Sequence, residues 1–431
     1  MQSSPEPAVA GPITDRQRLM LLTVAVAGHA IKHMFASAFF VLLPEIKAGL
    51  GLSNVQVGTL STLRNIAGGL SNLPAGFGAD RYAQSRPLIL GVSIALTGVF
   101  GLALGLATNF GVAILASALM VAAITLWHPS AISWLSQQFA ARRGLAISLH
   151  GTGGSLGEAL GPLVVGALLG VLSWRTVLQG SAAPAVALGI AIWFILRSIP
   201  RSSGALSGLK EYVGSAGRLL VNRRLWLVLL FAGGFAGGQS VVMTFLPIYL
   251  REDLGFSSMR LGIYLSLAQV GGVGAQPLMG YLSDRLGRKA VLVPGLVMLG
   301  FAYLGLNMVP SGWPLVATVV LMGAFSFSLM SILLASAMDL VAGEVQAITV
   351  SLVFGMAVVV SGFAPAIAGV LADAYGVKST FLLASGFALS AAVLALVTRW
   401  QRTDSPFQGT QGRTVGRSET ETEKPAKLNR R

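Results

Sequence analysis

From about residue 19 to residue 400 the chain is a succession of apolar stretches of about 20 residues or more, parted by short charged turns. A run of that length in hydrocarbon has few ways to fold. Every backbone N–H and C=O must find its partner inside the segment, and an α-helix of about 20 residues does so across a bilayer core. The runs fall near 19–43, 54–79, 87–107, 110–136, 144–170, 174–197, 224–250, 258–282, 290–309, 313–338, 346–373 and 379–400. Composition agrees, with 54% hydrophobic and 11% charged residues. A soluble domain carries about 25% charged residues. The first run continues past the small residues Ala25, Ala27 and Ala30 to Leu43, so it reads as an uncleaved span and not a signal peptide. The expected fold class is an all-α membrane protein with twelve transmembrane helices.

Lysine and arginine orient the spans, because cytoplasmic turns concentrate positive charge. With the N-terminus inside, cytoplasmic segments hold 23 such residues and external turns hold 5 (Lys47, Arg175, Arg251, Arg260 and Lys378). Both termini are therefore expected in the cytoplasm, with the protein multi-pass in the inner membrane. The net charge of +14 sits in short turns and the C-terminal tail, which argues against nucleic-acid binding. Residues 1–18 and 401–431 read as disordered, because they are polar and lack apolar periodicity; the basic tail suits contact with anionic lipid. Between spans six and seven lies a linker, 198–223. Its Leu206, Leu209, Val213, Ala216 and Leu220 recur at helical spacing beside Lys210 and Arg218. That pattern suits a helix lying on the inner membrane surface; the alternative is a flexible connector.

The two halves, 19–197 and 224–400, repeat. VGTLSTLRNIAGGLSNLPAGFGADR from Val57 aligns without a gap on LGIYLSLAQVGGVGAQPLMGYLSDR from Leu261. Gly51 and Ser53 match Gly255 and Ser257, and Pro162 and Gly166 match Pro365 and Gly369. Gly280 to Lys289 reads GYLSDRLGRK, with a weaker copy at Gly76, Asp80 and Arg81. The pattern G-x-L-x-D-R-x-G-R-K resembles the signature loop of the major facilitator superfamily of transporters. The resemblance implies the major facilitator fold, two pseudo-symmetric six-helix halves with the site at their interface near the midplane. In these turns Asp80 and Asp284 are expected to pair with nearby arginines, or to cap a neighbouring helix, in the outward-facing state and to separate on switching. Asp339 and Glu344 are further expected partners, for Arg285 or Arg288, so the set carries conformational switching.

Charge inside a span is costly and marks a candidate site. His29, Lys32 and His33 share one broad face of span one; Arg64 and Asn65 stand mid-way along span two. His128-Pro129 lies in span four, and His150 and Glu158 in span five. The second half offers mainly Gln239, Gln269 and Gln276. Cations outnumber the single carboxylate, so the cavity should favour an anion. Lys32, Arg64, Asn65, His29 and Gln239 are the candidate substrate-binding residues. Glu158, His33 and His150 are the candidate proton-coupling residues, with Glu158 expected to pair with Lys32 or Arg64. The alternative is that these groups only hold helices together. His128 is the one assigned a structural role, because Pro129 frees a backbone carbonyl that needs a partner. His29 and His33 have the i, i+4 spacing of metal ligands, but no nearby carboxylate or thiolate completes a set, so no metal or other cofactor is expected.

Span five carries Gly154, Gly157, Gly161 and Pro162 along one stripe, which permits close packing and a bend. The stripe resembles the glycine-proline motif of proton-coupled antiporters in the superfamily, with three residues instead of two between Pro162 and Gly166; a packing role fits equally. His128 to Leu163 resembles the corresponding stretch of fosmidomycin resistance proteins: an HP pair, RGLA, a GG pair and LGPL. His29 matches a histidine of that family, while Lys32-His33 stand where it carries Asn-Asp. The resemblance implies efflux of a small anionic compound in exchange for protons. No G-x-x-x-x-G-K-[ST] loop is present, and no nucleophile, metal or paired-carboxylate set converges, so neither ATP-driven pumping nor an enzyme is expected. The expectation is a proton-coupled secondary transporter and a working monomer, exporting an anionic organic compound or drug. Proton-coupled import of a carboxylate or other organic anion is the alternative.

Overall fold

The computed structural model describes residues 13–200, 223–338 and 346–398, all within one compact unit, Met1–Arg399. Most of the linker, both termini, Asp339 and Glu344 lie outside the described residues, as does the side chain of Asp80. The first half consists of α1 (Asp15–Leu50), α2 (Asn54–Arg81), α3 (Arg86–Gly105), α4 (Phe110–Thr125), α5 (Trp127–Gln138), α6 (Arg143–Leu168) and α7 (Trp174–Leu196). The second consists of α8 (Arg223–Ile248), α9 (Ser258–Leu286), α10 (Arg288–Met308), α11 (Trp313–Met338), α12 (Gln346–Tyr375) and α13 (Ser379–Val397). Among the described residues, eight helical stretches are long and apolar enough to cross a membrane by length and composition.

Thirteen described helices make twelve spans because the fourth is broken at Leu126. Pro129 accounts for the break: a proline has no N–H and its ring crowds the carbonyl four residues back. That residue is Thr125, where α4 ends.

The internal repeat is visible as repeated local chemistry. Gly51 and Gly255 both take left-handed backbone, at φ 62° and 65°. Ser53 and Ser257 then cap α2 and α9 by accepting the N–H of Gln56 and Arg260. The contacts between halves are reciprocal. Gly58 of α2 lies against the Pro365 carbonyl of α12, and its repeat partner Gly262 of α9 lies against the Pro162 carbonyl of α6. Likewise Gly369 packs on Asn54 and Val55, and Gly166 on Ser258 and Met259. With hydrogen in place of Cβ the backbones approach closely, which is how helices pack without a hydrophobic drive.

These contacts gather at the end bearing the 51–53 turn, and polar links reinforce them. Arg251 Nε donates to Glu45 at 2.8 Å and Lys47 Nζ to Glu252 at 2.5 Å. Asp373 accepts the backbone N–H groups of Asn54 and Val55 at 2.9 and 3.0 Å, capping α2 from the other half. At the opposite end, a Cβ on Gly76 or Gly280 would meet no atom within 4 Å. Among the described residues nothing lies against either glycine, because the halves meet at the other end.

Candidate functional site

The site is built on α1, and the glycine stripe of α6 is what brings its partners close. Gly153 faces Val26, Gly157 faces Ala30 and Gly161 faces Met34 and Ser37. A Cβ at Gly154 would stand 2.5 Å from the His29 ring. The stripe therefore packs against α1, delivering His150 and Glu158 to the histidine face of that helix.

All four histidines converge. His29 Nε2 lies 2.8 Å from His128 Nε2 and 3.0 Å from His33 Nε2, and the His29 ring stacks on His150 at 3.8 Å. His29 Nδ1 donates to the His150 carbonyl at 2.6 Å, and His150 Nδ1 to the Ala25 carbonyl at 3.2 Å. Glu158 pairs with His33 Nδ1 at 2.7 Å, not with Lys32 or Arg64 as its charge alone suggested. Lys32 is instead buried against His128, its Nζ 2.9 Å from Nδ1 and 3.0 Å from Nε2. His128 is thus no mere partner for a freed carbonyl: the break before α5 turns its ring into the cluster. The sequence signal that could have found this was the chain's four histidines all falling in one half.

The ring nitrogens of His29, His33 and His128 lie within 4.8 Å of one another, so His128 supplies a third nitrogen to the i, i+4 pair. A metal ion fits this set poorly. The Lys32 ammonium stands against His128, and a divalent cation would meet that charge at close range.

Arg64 is 5% exposed. Its guanidinium lies over the Phe39 ring at 4.2 Å, and its one described hydrogen bond is a long one, 3.5 Å to the Ala36 carbonyl. No described carboxylate pairs with it. Beside it Asn65 Nδ2 donates to Ser240 of α8 at 2.8 Å, joining the halves at the site, and Gln239 donates to the Ser326 carbonyl at 3.2 Å. Ser240 was not singled out in the sequence, because a lone serine on an apolar helix carries no signal. Every buried Lys, Arg or His among the described residues (His29, Lys32, Arg64, Arg86 and His150) belongs to the first half. Arg86 lies apart, donating to Gln137 and Ser133.

At the turn of the signature loop, Asp284 pairs with Arg288, and Arg285 donates to the Tyr281 hydroxyl at 2.8 Å. Arg81 stands over the Tyr82 ring at 6.0 Å. Lys289 donates to the Leu396 and Thr398 carbonyls, closing the C-terminal end of α13.

Comparison with known proteins places this geometry. A sequence profile described as the Major Facilitator Superfamily matches residues 25–276 and 235–426. The fosmidomycin resistance protein of Escherichia coli (strain K12) is 24% identical over 395 residues, 86% of this chain and 92% of that protein. A probable sulfoacetate transporter of Cupriavidus necator is 26% identical over 314 residues, 65% of this chain and 70% of its own. Among solved structures, a bacterial homolog of the human lysosomal transporter Spinster, inward-facing and occupied, superposes with a TM-score of 0.77 at 17% identity, over 90% of this chain and all of that one. Twelve spans in two reciprocal halves are accounted for together: this chain is a multi-pass membrane protein of the Major Facilitator Superfamily.

Proposed function

We propose that the chain is a secondary active transporter that exports a small organic anion in exchange for protons, by alternating access. Arg64 carries this reading. A guanidinium buried in a span is expensive unless a counter-charge arrives, and no described residue supplies one. Arg64 also presents donors suited to a carboxylate, sulfonate or phosphonate. Lys32, Asn65, His29 and Gln239 complete the substrate-binding set. Glu158 and His33 hold the coupling proton, with His150 stacked beneath them on His29. Lysine and arginine distribution puts the 51–53 turn outside and both termini in the cytoplasm, so this conformation is closed to the outside. Gly76, Asp80, Arg81, Gly280, Asp284, Arg285, Arg288 and Asp339 serve the change to the opposite state. The working unit is a monomer in the cytoplasmic membrane, with halves 19–197 and 224–400 joined by 198–223. Export rests on the likeness to the fosmidomycin resistance protein. Import of an organic anion is the second reading, motivated by the buried Lys32 and Arg64; a relative named for sulfoacetate supports an anionic substrate in either direction.

Liposomes holding purified protein and a pH dye test this, with fosmidomycin, sulfoacetate and a cationic drug as probes. Anions alone should move protons, and the sign of the gradient that drives them gives the direction. Arg64→Ala should raise the KM for the anion about tenfold or more, as losing a charge-assisted hydrogen bond of about 1.5–3 kcal/mol implies. Glu158→Gln should abolish proton movement. A response to the cation alone would show that Arg64 serves packing and that the anion reading is wrong.

A further inference from the structure

The hydrogen bonds around the four histidines leave little freedom in where the protons sit. A carbonyl only accepts, so His29 carries its hydrogen on Nδ1, facing the His150 carbonyl at 2.6 Å. Neutral His29 therefore offers Nε2 as an acceptor, and both rings that touch it must donate: His33 through Nε2 at 3.0 Å and His128 through Nε2 at 2.8 Å. With its hydrogen on Nε2, His128 accepts from Lys32 at Nδ1, 2.9 Å away, and the 3.0 Å approach of Lys32 to Nε2 carries no hydrogen bond. With its own on Nε2, His33 has a bare Nδ1 facing Glu158 at 2.7 Å. Two acceptors cannot sit that close without a hydrogen between them, so one proton is shared by Glu158 and His33.

From this accounting we infer that Lys32, His128, His29, His33 and Glu158 form a proton relay gated by the anion, in which His29 and His128 are positioning residues for coupled transport. The inference rests on the proton-coupled anion transport proposed above. While Lys32 donates to Nδ1, His128 keeps its hydrogen on Nε2 and cannot accept another there, so the proton stays at Glu158. An anion that draws the Lys32 ammonium away frees Nδ1. Water entering with the anion then takes the Nε2 hydrogen of His128 and supplies one to Nδ1, with no net change in protons, and Nε2 becomes an acceptor. Glu158 gives its proton to His33 Nδ1, His33 releases the hydrogen on Nε2 to His29 Nε2, and His29 passes it to His128 Nε2. Glu158 ends as a carboxylate, and His128 as an imidazolium beside the anion. The titratable groups facing the path are those of α1, α5 and α6 already named, and His150 takes no part because its Nδ1 is held by the Ala25 carbonyl.

Glutamine separates a relay from a scaffold. At His29 or His128 its amide reproduces one donor and one acceptor, but it cannot exchange a proton between them. His29→Gln and His128→Gln are compared with the wild type in the same liposomes, with sulfoacetate and fosmidomycin as probes. Proton movement and probe counterflow are both recorded. The relay predicts proton movement per transported probe down by about a hundredfold, the low end of what a positioned acid–base group contributes. Counterflow of the probe, which needs no net proton transfer, should persist in His128→Gln; His29 also belongs to the substrate-binding set, so only its proton movement per probe is compared. Unchanged proton movement in both variants would overturn the relay and leave proton-coupled transport standing. Loss of counterflow in folded His128→Gln would also overturn it, making that ring structural. A wild-type protein that moves no protons with either probe would overturn the transport reading, and the relay with it.

Discussion

Arg64 and Glu158 are both charged groups inside spans, and only Glu158 has a described ionisable partner: it holds His33 at 2.7 Å, while Arg64 rests on Phe39 and reaches only the Ala36 carbonyl. That difference motivates the roles proposed for them, a paired acid for the proton and a cation without a counter-charge for the substrate. The sequence placed both in spans, and it put His29, Lys32 and His33 on one helix face by spacing alone. It did not pair them, because charge says which groups attract and not which are near. His128 is 96 residues from Lys32, and only packing brings them together. Asp284 is a simpler case. Its side chain is 68% exposed and its pair with Arg288 is screened by water, worth about 1 kcal/mol or less. Asp284→Asn should leave the melting temperature and probe binding close to wild type and reduce transport. Undiminished transport by the folded variant would remove Asp284 from the conformational set.

Among the elements, α6 decides the most. Its glycines were compatible with a coupling motif or with packing, and the structure assigns them contacts with α1. A Cβ at Gly157 would run into the backbone of Ala30, which no rotamer change relieves. Gly157→Val should cost about 1–3 kcal/mol and lower the melting temperature of the purified protein. Gly151 lies on the same helix with nothing within 4 Å of a Cβ. Gly151→Ala should be neutral or stabilising, by up to about 1 kcal/mol through helix propensity. Equal melting temperatures for the two variants would refute the contact-based account. The break at Leu126 was written as Pro129, but its consequence, a His128 ring turned toward Lys32, was not.

For the molecule as a whole, the balance between two states is the quantity of interest. Glu45–Arg251, Lys47–Glu252 and the Asp373 cap close the end bearing the 51–53 turn. Such part-exposed links are worth about 1 kcal/mol or less each. Removing two should shift the population of the state open at that end about tenfold, since about 1.4 kcal/mol is a factor of ten. The chain has no cysteine, so a single Ser266→Cys, buried at the seam between halves, reports on that opening without further changes. Adding Glu45→Gln with Asp373→Asn should speed its reaction with an impermeant maleimide by that factor. An unchanged rate would mean that the glycine contacts hold the end shut by themselves.

The sequence by itself determined the spans, their repeat and the gathering of lysine, arginine and histidine inside the spans of one half. Each follows from local cost: hydrocarbon length sets the runs, the backbone demands helices, and membrane charge is kept only where it serves. The tertiary structure alone decided which buried charges meet. Hydrogen-bond reach is about 3 Å, and that distance depends on close approach of α1, α5 and α6, summed over many contacts that no single residue encodes.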